Sequence, residues 1–366
     1  DETADLAKIF HDWKKKIPIS TQIKFCSVKL SEIISHGNRL EASVFDVDAM
    51  KSRQIVINGK FPSVNLIGAN CPVERAFYGD RLKRNYISTN KDSIGFIGSS
   101  EMLDCNPKPT KFMKNSSEVD NLRVNEGQIL ISRSGTIGNL TFVNKTLSRF
   151  LVSEHAIRLE CKNYSGYVYA YLKSKIGQIL IRSNIYGAVI QQIEPEHLSK
   201  VIIPDAPENL KRQIHELIVK SYALRDESNA LIDEATQILI DELSLPPIED
   251  FETKKTFTVK LSNLRGRLDA SFHVPIVDKI ISHLQSHAAE VTTIGDSRIS
   301  NAVILPGRFK RVYVDESHGR IFIGGKQIGE LDPAGKKYLS AKKHEKRIYD
   351  ELEIYENMTL LTCSGT

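Results

Sequence analysis

The sequence predicts an α+β protein in which a long helix joins two related, β-rich domains. The first observation behind this prediction is that a set of short segments recurs along the 366-residue chain. The second is a stretch between the two copies that has apolar residues at helical spacing and no helix breaker. A chain of this length is expected to form two or three domains, each with its own hydrophobic core.

The internal repeat matches residues 28–136 with residues 259–366. The matching segments are 28–31 with 259–262, 39–43 with 267–271, 67–87 with 294–314, 96–98 with 322–324, and 134–136 with 364–366. Their separation stays between 226 and 231 positions, as expected when a duplicated domain has acquired small insertions in its loops. Because the second copy stops at the equivalent of Thr136, we expect either a fragment of a longer chain or an incomplete second domain.

Short apolar runs bounded by Gly, Asn, Pro and Ser predict strands in the first copy. Such runs occur at 54–57 (QIVI), 128–131 (QILI) and 201–203 (VII). They place a mixed, β-rich domain at 26–207, preceded by an N-terminal helical segment at 1–25.

A single long helix is predicted after this domain. Residues 209–243 contain no Gly or Pro, and about 35 helical residues would extend about 50 Å. A narrow apolar stripe on so long a helix is typical of a coiled coil, in which two helices pack together. We therefore assign 208–245 to a spacer helix and 246–366 to the second domain. The expected partner-binding positions are Leu210, Ile214, Leu217, Leu224, Leu231 and Ile238.

Basic residues cluster at equivalent places in the two copies. Arg81, Lys83 and Arg84 are matched by Arg308, Lys310 and Arg311. They alternate with other positions, so one face of a strand would carry cations that suit DNA phosphates. The alternative is a solvated strand end, and the net charge of +5 is too small to decide.

The motifs resemble a known family when they are taken in order. GQILISRSGTIG at 127–138, YGAVIQQIEP at 186–195, IIP at 202–204 and then the long helix resemble a target recognition domain of type I restriction-modification specificity subunits. The resemblance implies two such domains per chain, each followed by a long helix, with the two helices pairing antiparallel as a spacer. The sequence departs from this pattern because no second long helix is present in the 366 residues.

The same resemblance implies the function and the partners. The chain would be a non-catalytic subunit that directs adenine methylation and restriction at a bipartite site on double-stranded DNA. Two methyltransferase subunits and restriction subunits would be its partners. S-adenosylmethionine, ATP and Mg would be bound by those partners, and this chain would bind no cofactor.

Candidate DNA-binding residues lie in two of the motifs. Arg133, Ser134, Gly135 and Thr136 offer a guanidinium, hydroxyls and a glycine after a predicted strand, at the DNA or in its supporting shell. Gln191 and Gln192 have the amide that pairs with adenine, but neighbours on a strand face opposite ways, so at most one can reach a base. The alternatives are a simple turn between buried strands and amides that hold the local backbone.

No motif for catalysis is found in the sequence. LPPI at 245–248 lacks both ends of the Asn/Asp-Pro-Pro-aromatic loop of an amino-methyltransferase, and no phosphate-binding glycine loop occurs. His283 and His287 have metal-ligand spacing without a zincin glutamate, so a surface helix is the preferred interpretation. Five scattered cysteines indicate a reducing, cytoplasmic setting, and no apolar run has the length of a membrane span.

Two other functions stay open at this point. The chain could be the recognition region of a single-chain fused restriction enzyme and methyltransferase, which a longer reading frame upstream would reveal. It could also be a repeat-built scaffold unrelated to DNA, although the repeated basic cluster has no evident role there.

Overall fold

The computed structural model describes residues 11, 14–15, 28–35, 45–135, 137–185, 191–245, 256–264, 266–330 and 336–363. The chain divides into two compact units, residues 1–226 and 227–366, and the division falls inside the long helix. Helices and sheets occur in both units, which confirms the α+β class. Within the described ranges, no helix has the length and hydropathy needed to cross a bilayer.

Unit 1 contains short strands interspersed with helices. Its helices are α1 Leu30–Ser35, α2 Val47–Ile57, α3 Ser165–Lys173, α4 Lys175–Arg182 and α5 Pro195–Leu198, and the long helix α6 Glu208–Glu242 starts in it. Its strands are β1 Ser63–Asn65, β2 Val73–Phe77, β3 Ser93–Ile97, β4 Lys111–Lys114, β5 Ile129–Ser132, β6 Leu140–Phe142, β7 Leu151–Val152, β8 Ala156–Cys161 and β9 Ile202–Pro204.

Three sheets form the framework of unit 1. The largest is antiparallel with the order β2-β8-β5-β6, and a second has β3 between antiparallel β4 and parallel β7. Strand β9 pairs antiparallel with β1. The predicted strands at 128–131 and 201–203 are therefore confirmed as β5 and β9.

Strand β5 separates two hydrophobic clusters. Ile129 and Ile131 point into one cluster, Leu130 points into the other, and all three are fully buried. A strand covered on both faces has a continuous apolar sequence rather than an alternating one, which explains the run ILI.

The predicted strand at 54–57 is wrong, because these residues end helix α2. Asp46 caps the start of that helix, where its carboxylate accepts bonds from the N–H groups of Asp48 and Ala49 at 2.9 and 3.0 Å. Only Val56 of the apolar run is buried, whereas Ile55 and Ile57 are 59% and 53% exposed. Capping and one-sided packing thus outweigh the β preference of a short β-branched run.

The long helix forms as predicted, and unit 1 holds its first half firmly. Leu210, Ile214 and Ile218 pack against the main hydrophobic cluster of the unit. Tyr222 is buried, and its hydroxyl accepts the N–H of Phe142 at 3.2 Å.

Asp226 adds a polar anchor one turn further along the helix. Its carboxylate accepts bonds from the Asn144 amide at 2.8 Å, the Lys145 N–H at 3.1 Å, and the N–H and hydroxyl of Thr146 at 2.8 and 2.6 Å. These bonds tie α6 to the turn that follows β6.

Unit 2 contains helix α7 Pro275–His287, strands β10 Tyr313–Val314, β11 Gly319–Phe322 and β12 Lys337–Ser340, and the helical turns α8 Glu345–Arg347 and Ile348–Leu352. Its sheet is antiparallel with the order β10-β12-β11. Among its described apolar residues, Leu339 and Ile348 are buried. Ile323 and Leu361 are 40% and 75% exposed, whereas the matching Ile97 and Ile131 of the first copy are fully buried.

The repeat found in the sequence is also a repeat of strand register. In β3 and β4 the pairs run from Ser93 with Lys114 to Phe96 with Lys111. In β11 and β12 they run from Gly319 with Ser340 to Phe322 with Lys337, so every partner lies 226 positions later.

The chain after this hairpin also repeats. The N–H of Gly98 donates to the Glu101 carboxylate, and the N–H of Gly324 donates to the Gln327 amide oxygen, at 2.5 and 3.1 Å.

Strand β2 of the first copy is among those that have no counterpart in the described part of the second. Residues 300–304, which match β2, are irregular. In unit 1 strand β2 pairs with β8, and its first residue, Val73, also forms a bridge with Ile67.

Candidate nucleic-acid interface

The loop between β5 and β6 forms a tight turn. Its base is closed by the Ser132 N–H, which donates to the Asn139 carbonyl at 2.8 Å, and by the Gly138 N–H, which donates to the Ser132 carbonyl at 3.0 Å. Gly135, at the tip, is exposed and has a φ of 74°. Side chains disfavour this left-handed conformation, so the loop presents backbone to solvent here. Thr136 lies outside the described residues.

Arg133 lies beneath the loop rather than on its surface. The residue is only 5% exposed, and its guanidinium donates to the Glu194 carboxylate and, at 3.2 Å, to the Gln192 amide oxygen. The same group lies 4.4 Å from the Tyr78 ring centre. Direct contact with DNA, one of the two expected roles, does not fit this burial; the guanidinium instead joins the loop to the segment that contains Gln192 and Glu194.

Backbone pairing joins the loop to the segment that contains the two glutamines. Ser134 and Gln192 form an antiparallel bridge, and the Ile193 N–H donates to the Arg133 carbonyl at 3.1 Å. Gln191 is exposed, whereas Gln192 is half-buried and bonded to Arg133. Of the two glutamines, Gln191 is therefore the one on the surface, and its pairing with a base stays a prediction.

Ser134 is held in place by polar side chains that lie beneath the loop. Its hydroxyl lies 2.8 Å from His155 Nδ1. The neighbouring Glu154 is buried, and both its oxygens accept bonds from the Arg84 guanidinium, at 2.7 and 2.8 Å. Burial acts to raise the pKa of Glu154, but the bonds from Arg84, a backbone hydrogen bond and the neighbouring positive charges together hold this pKa below its ordinary value. Glu154 therefore stays ionised and fixes Arg84.

Ser134, His155 and Glu154 are not arranged as a hydrolytic triad. In such a triad the carboxylate is hydrogen-bonded to the imidazole and orients it. Here the distance from His155 Nε2 to the Glu154 carboxylate is 3.7 Å, and that carboxylate is bound to Arg84. The carboxylate that would orient the imidazole is bound elsewhere, and the row of side chains anchors the loop.

The basic clusters are not on strands, so that prediction is wrong. Residues 79–86 and 301–312 are irregular, and regular pairing begins only at the bridge from Ile87 to Phe112 and at β10. The structure separates the side chains: Arg84 is tied to Glu154, while the others are exposed without a carboxylate partner in the described parts of the chain. These exposed residues are Arg81, Lys83, Arg308, Lys310 and Arg311.

Arg158 is a buried cation that sequence reasoning missed. It is fully buried in β8 and donates to the carbonyls of Leu122 and Val152 at 3.1 and 2.9 Å. Burial lowers the pKa of its guanidinium to about 10, against the opposing charge of Glu154. Its sequence signal is an arginine inside the apolar run AIRL.

The predicted partner-binding residues on α6 fall into two groups. Leu210 and Ile214 are partly buried against the core of unit 1, so their assignment to a partner stays a prediction. The remaining four are exposed and recur every seven residues: Leu217 at 67%, Leu224 at 55%, Leu231 at 58% and Ile238 at 57%. We call these four residues the heptad stripe.

No cluster of three or more metal-ligating side chains occurs among the described residues. His283 and His287 stack at 4.0 Å, and each has a ring nitrogen within hydrogen-bonding distance of a backbone carbonyl, Leu243 and His283 respectively.

No protein-family model and no curated protein matches the sequence. The S subunit of a type I restriction-modification system from M. genitalium is 17% identical with a TM-score of 0.36, over 51% of this chain and 45% of that chain. The HsdS subunit from Thermoanaerobacter tengcongensis is 16% identical with a TM-score of 0.32, over 58% and 54%. A chain from a structure of type I R-M complex assembly and conformational transition is 13% identical with a TM-score of 0.32, over 64% and 67%. The chain spans about half the length of the first two structures, and it is similar to S subunits of type I restriction-modification systems.

Proposed function

We propose that this chain is the sequence-specific DNA-recognition subunit of a type I restriction-modification complex. It directs adenine methylation and restriction by partner subunits to a bipartite site. The observation that carries the proposal is the duplicated hairpin, in which both copies keep one strand register. Two related modules on one chain suit a target made of two separate half-sites.

The surface around the β5–β6 loop suits base reading in the first module. Gly135 and Gln191 are exposed there, and the bonded side chains below them hold the loop in one conformation. A rigid support with few protruding groups is what specific recognition requires, because base contacts depend on placement. The amide of Gln191 suits adenine, and Arg81 and Lys83 suit nearby phosphates.

The heptad stripe supports the proposed spacer and partner-binding roles. A seven-residue repeat of exposed apolar side chains is the pattern by which helices pair. The four positions extend over about 32 Å of helix, and burial of each leucine-sized side chain would contribute about 1.5–3 kcal/mol. We assign this stripe to the helical spacer and to the docking of the methyltransferase subunits.

The chemistry of this complex belongs to the partners. The row beneath the β5–β6 loop is a structural anchor, so the proposal assigns S-adenosylmethionine, ATP and Mg to the methyltransferase and restriction subunits. The domains follow the same plan, with readers at 26–207 and 246–366 and the spacer at 208–245.

The test is to map methylated adenines in a host that expresses the complete complex, with and without this chain. We expect methylation at one bipartite motif that disappears when the chain is removed. An unchanged methylation map would overturn the proposal.

A second experiment tests assembly. Leu217→Asp with Leu231→Asp should prevent co-elution with the methyltransferase subunits in size-exclusion chromatography. The control is Glu227→Asp with Glu234→Asp, which changes exposed positions of the same helix outside the stripe. If the stripe variant elutes as the wild-type complex does, the docking assignment is wrong.

A further inference from the structure

Four side chains of the first copy form a stack that we call the cation–aromatic ladder. The Arg84 guanidinium lies 5.1 Å from the Phe96 ring centre, and the Tyr86 ring lies 6.0 Å from the same ring. At the other end, the Lys111 ammonium lies 5.6 Å from the Tyr86 ring centre. Two cations thus flank two aromatic rings.

The second copy contains the same ladder. Arg311 lies 4.9 Å from the Phe322 ring centre, the rings of Tyr313 and Phe322 are 6.4 Å apart, and the Lys337 ammonium lies 5.4 Å from the Tyr313 ring. The two rings are inclined at 57° in this copy and at 55° in the first.

The shared strand register builds both ladders. Phe96 pairs with Lys111 across β3 and β4, and Phe322 pairs with Lys337 across β11 and β12. The tyrosine enters from the chain before the hairpin, through the bridge of Ile87 in one copy and through β10 in the other. Residues far apart in sequence are therefore brought together in the same way twice.

Other positions of the same strands differ between the copies. Ile94 and Gly95 of β3 are replaced by Arg320 and Ile321 in β11. The ladder is kept although its neighbours have changed.

A role in the hydrophobic core does not explain why the outer parts of the ladder are kept. Tyr86 and Tyr313 are each 42% exposed, and Lys111 and Lys337 are exposed as well. Nor is an ion pair the common feature, since Arg84 is bound to Glu154, whereas Arg311 has no carboxylate within ion-pair distance in the described parts of the chain.

Two modules that read different half-sites share only those DNA contacts that do not depend on the base sequence. For double-stranded DNA this common element is the phosphate backbone, which positions a protein without carrying sequence information. A cation held over a ring is already ordered, so less side-chain entropy is lost when it meets a phosphate. We propose that the cation–aromatic ladder of each copy binds the DNA phosphate backbone, with Lys111 and Lys337 as the outermost contacts. This inference rests on the proposed DNA-recognition function.

The test uses the full chain and a labelled random-sequence DNA duplex, because backbone contacts need no specific site. Each phosphate contact contributes about 0.9 to the slope of log K against log salt concentration. We expect Lys111→Gln and Lys337→Gln each to reduce the slope by about 0.9, and the double variant by about 1.8. The controls are Lys175→Gln and Lys346→Gln, which change exposed lysines outside the ladder.

The outcomes separate the ladder from the proposed function. Slopes that fall for the ladder variants and stay constant for the controls, with unchanged melting temperatures, support the inference. Equal slopes for wild type and ladder variants overturn it, even where the methylation map still depends on the chain. If the wild-type chain does not bind the duplex, and the methylation map is the same with and without the chain, both proposals fail.

Discussion

Replacing Asp226 tests whether the long helix is held to unit 1 as the structure indicates. The carboxylate accepts four bonds from residues 144–146, and Asp226→Ala would leave these donors without it. Hydrogen bonds to a charged group contribute about 1.5–3 kcal/mol each. Because the four bonds share one acceptor and are not additive, we expect the free energy of unfolding to fall by about 3 kcal/mol.

The assay is thermal unfolding of the full chain, followed by hydrogen exchange. A loss of this size lowers the melting temperature of unit 1 by about 6–12 °C. The amides of Lys145 and Thr146 should exchange faster, because their acceptor is lost. Asp226→Asn, which keeps one acceptor oxygen, should lie between wild type and the alanine variant.

Asp241→Ala is the matched control, since Asp241 is exposed on the same helix and its carboxylate accepts a bond from the Gln237 amide one turn away. It should change the melting temperature by less than about 2 °C. A shift as small as this for Asp226→Ala would refute the anchoring role.

Two further predictions concern the side chains beneath the loop. Arg133→Ala leaves the partly buried Glu194 carboxylate without this cation and should destabilise the protein by about 3 kcal/mol in urea unfolding; a loss below about 1 kcal/mol would contradict the supporting role. For Glu154, whose pKa is lowered in the folded state, the stabilisation is present above the ordinary glutamate pKa and is lost as pH falls through the folded value. Glu154→Gln should therefore flatten the decline of stability below about pH 4.3, and an unchanged pH profile would exclude this contribution.

Periodicity in the sequence was sufficient to predict the long helix, strand β5 and the duplication. Each depends on a local pattern: the seven-residue repeat of α6, the apolar run ILI of β5, and the matched segments. These features could be predicted because each one is encoded in a short pattern of residues that can be read directly from the sequence.

Burial and pairing partners were the parts that the sequence did not reveal. The run at 54–57 has strand-like composition, but the Asp46 cap and the burial of Val56 place it in a helix. Arg133 looks like a surface cation in sequence, and only the positions of Tyr78 and Glu194 show that it is covered. The ladder was missed because Lys111 meets Tyr86 through a cross-strand contact that no local pattern encodes.

The common register of the two hairpins has a consequence for how the chain reaches its native state. Because the two hairpins share one register, a strand of one hairpin can pair with the opposite strand of the other. Such an exchange of strands between the copies is a folding error that the chain has to avoid. The position held by Ile94 in the first copy is held by Arg320 in the second, and this difference opposes the exchange. Ile94 packs beside Met113 and Leu122 in a hydrophobic cluster, and an arginine placed there would be a charge without a partner. Divergence between the copies therefore also keeps each hairpin with its own strands during folding.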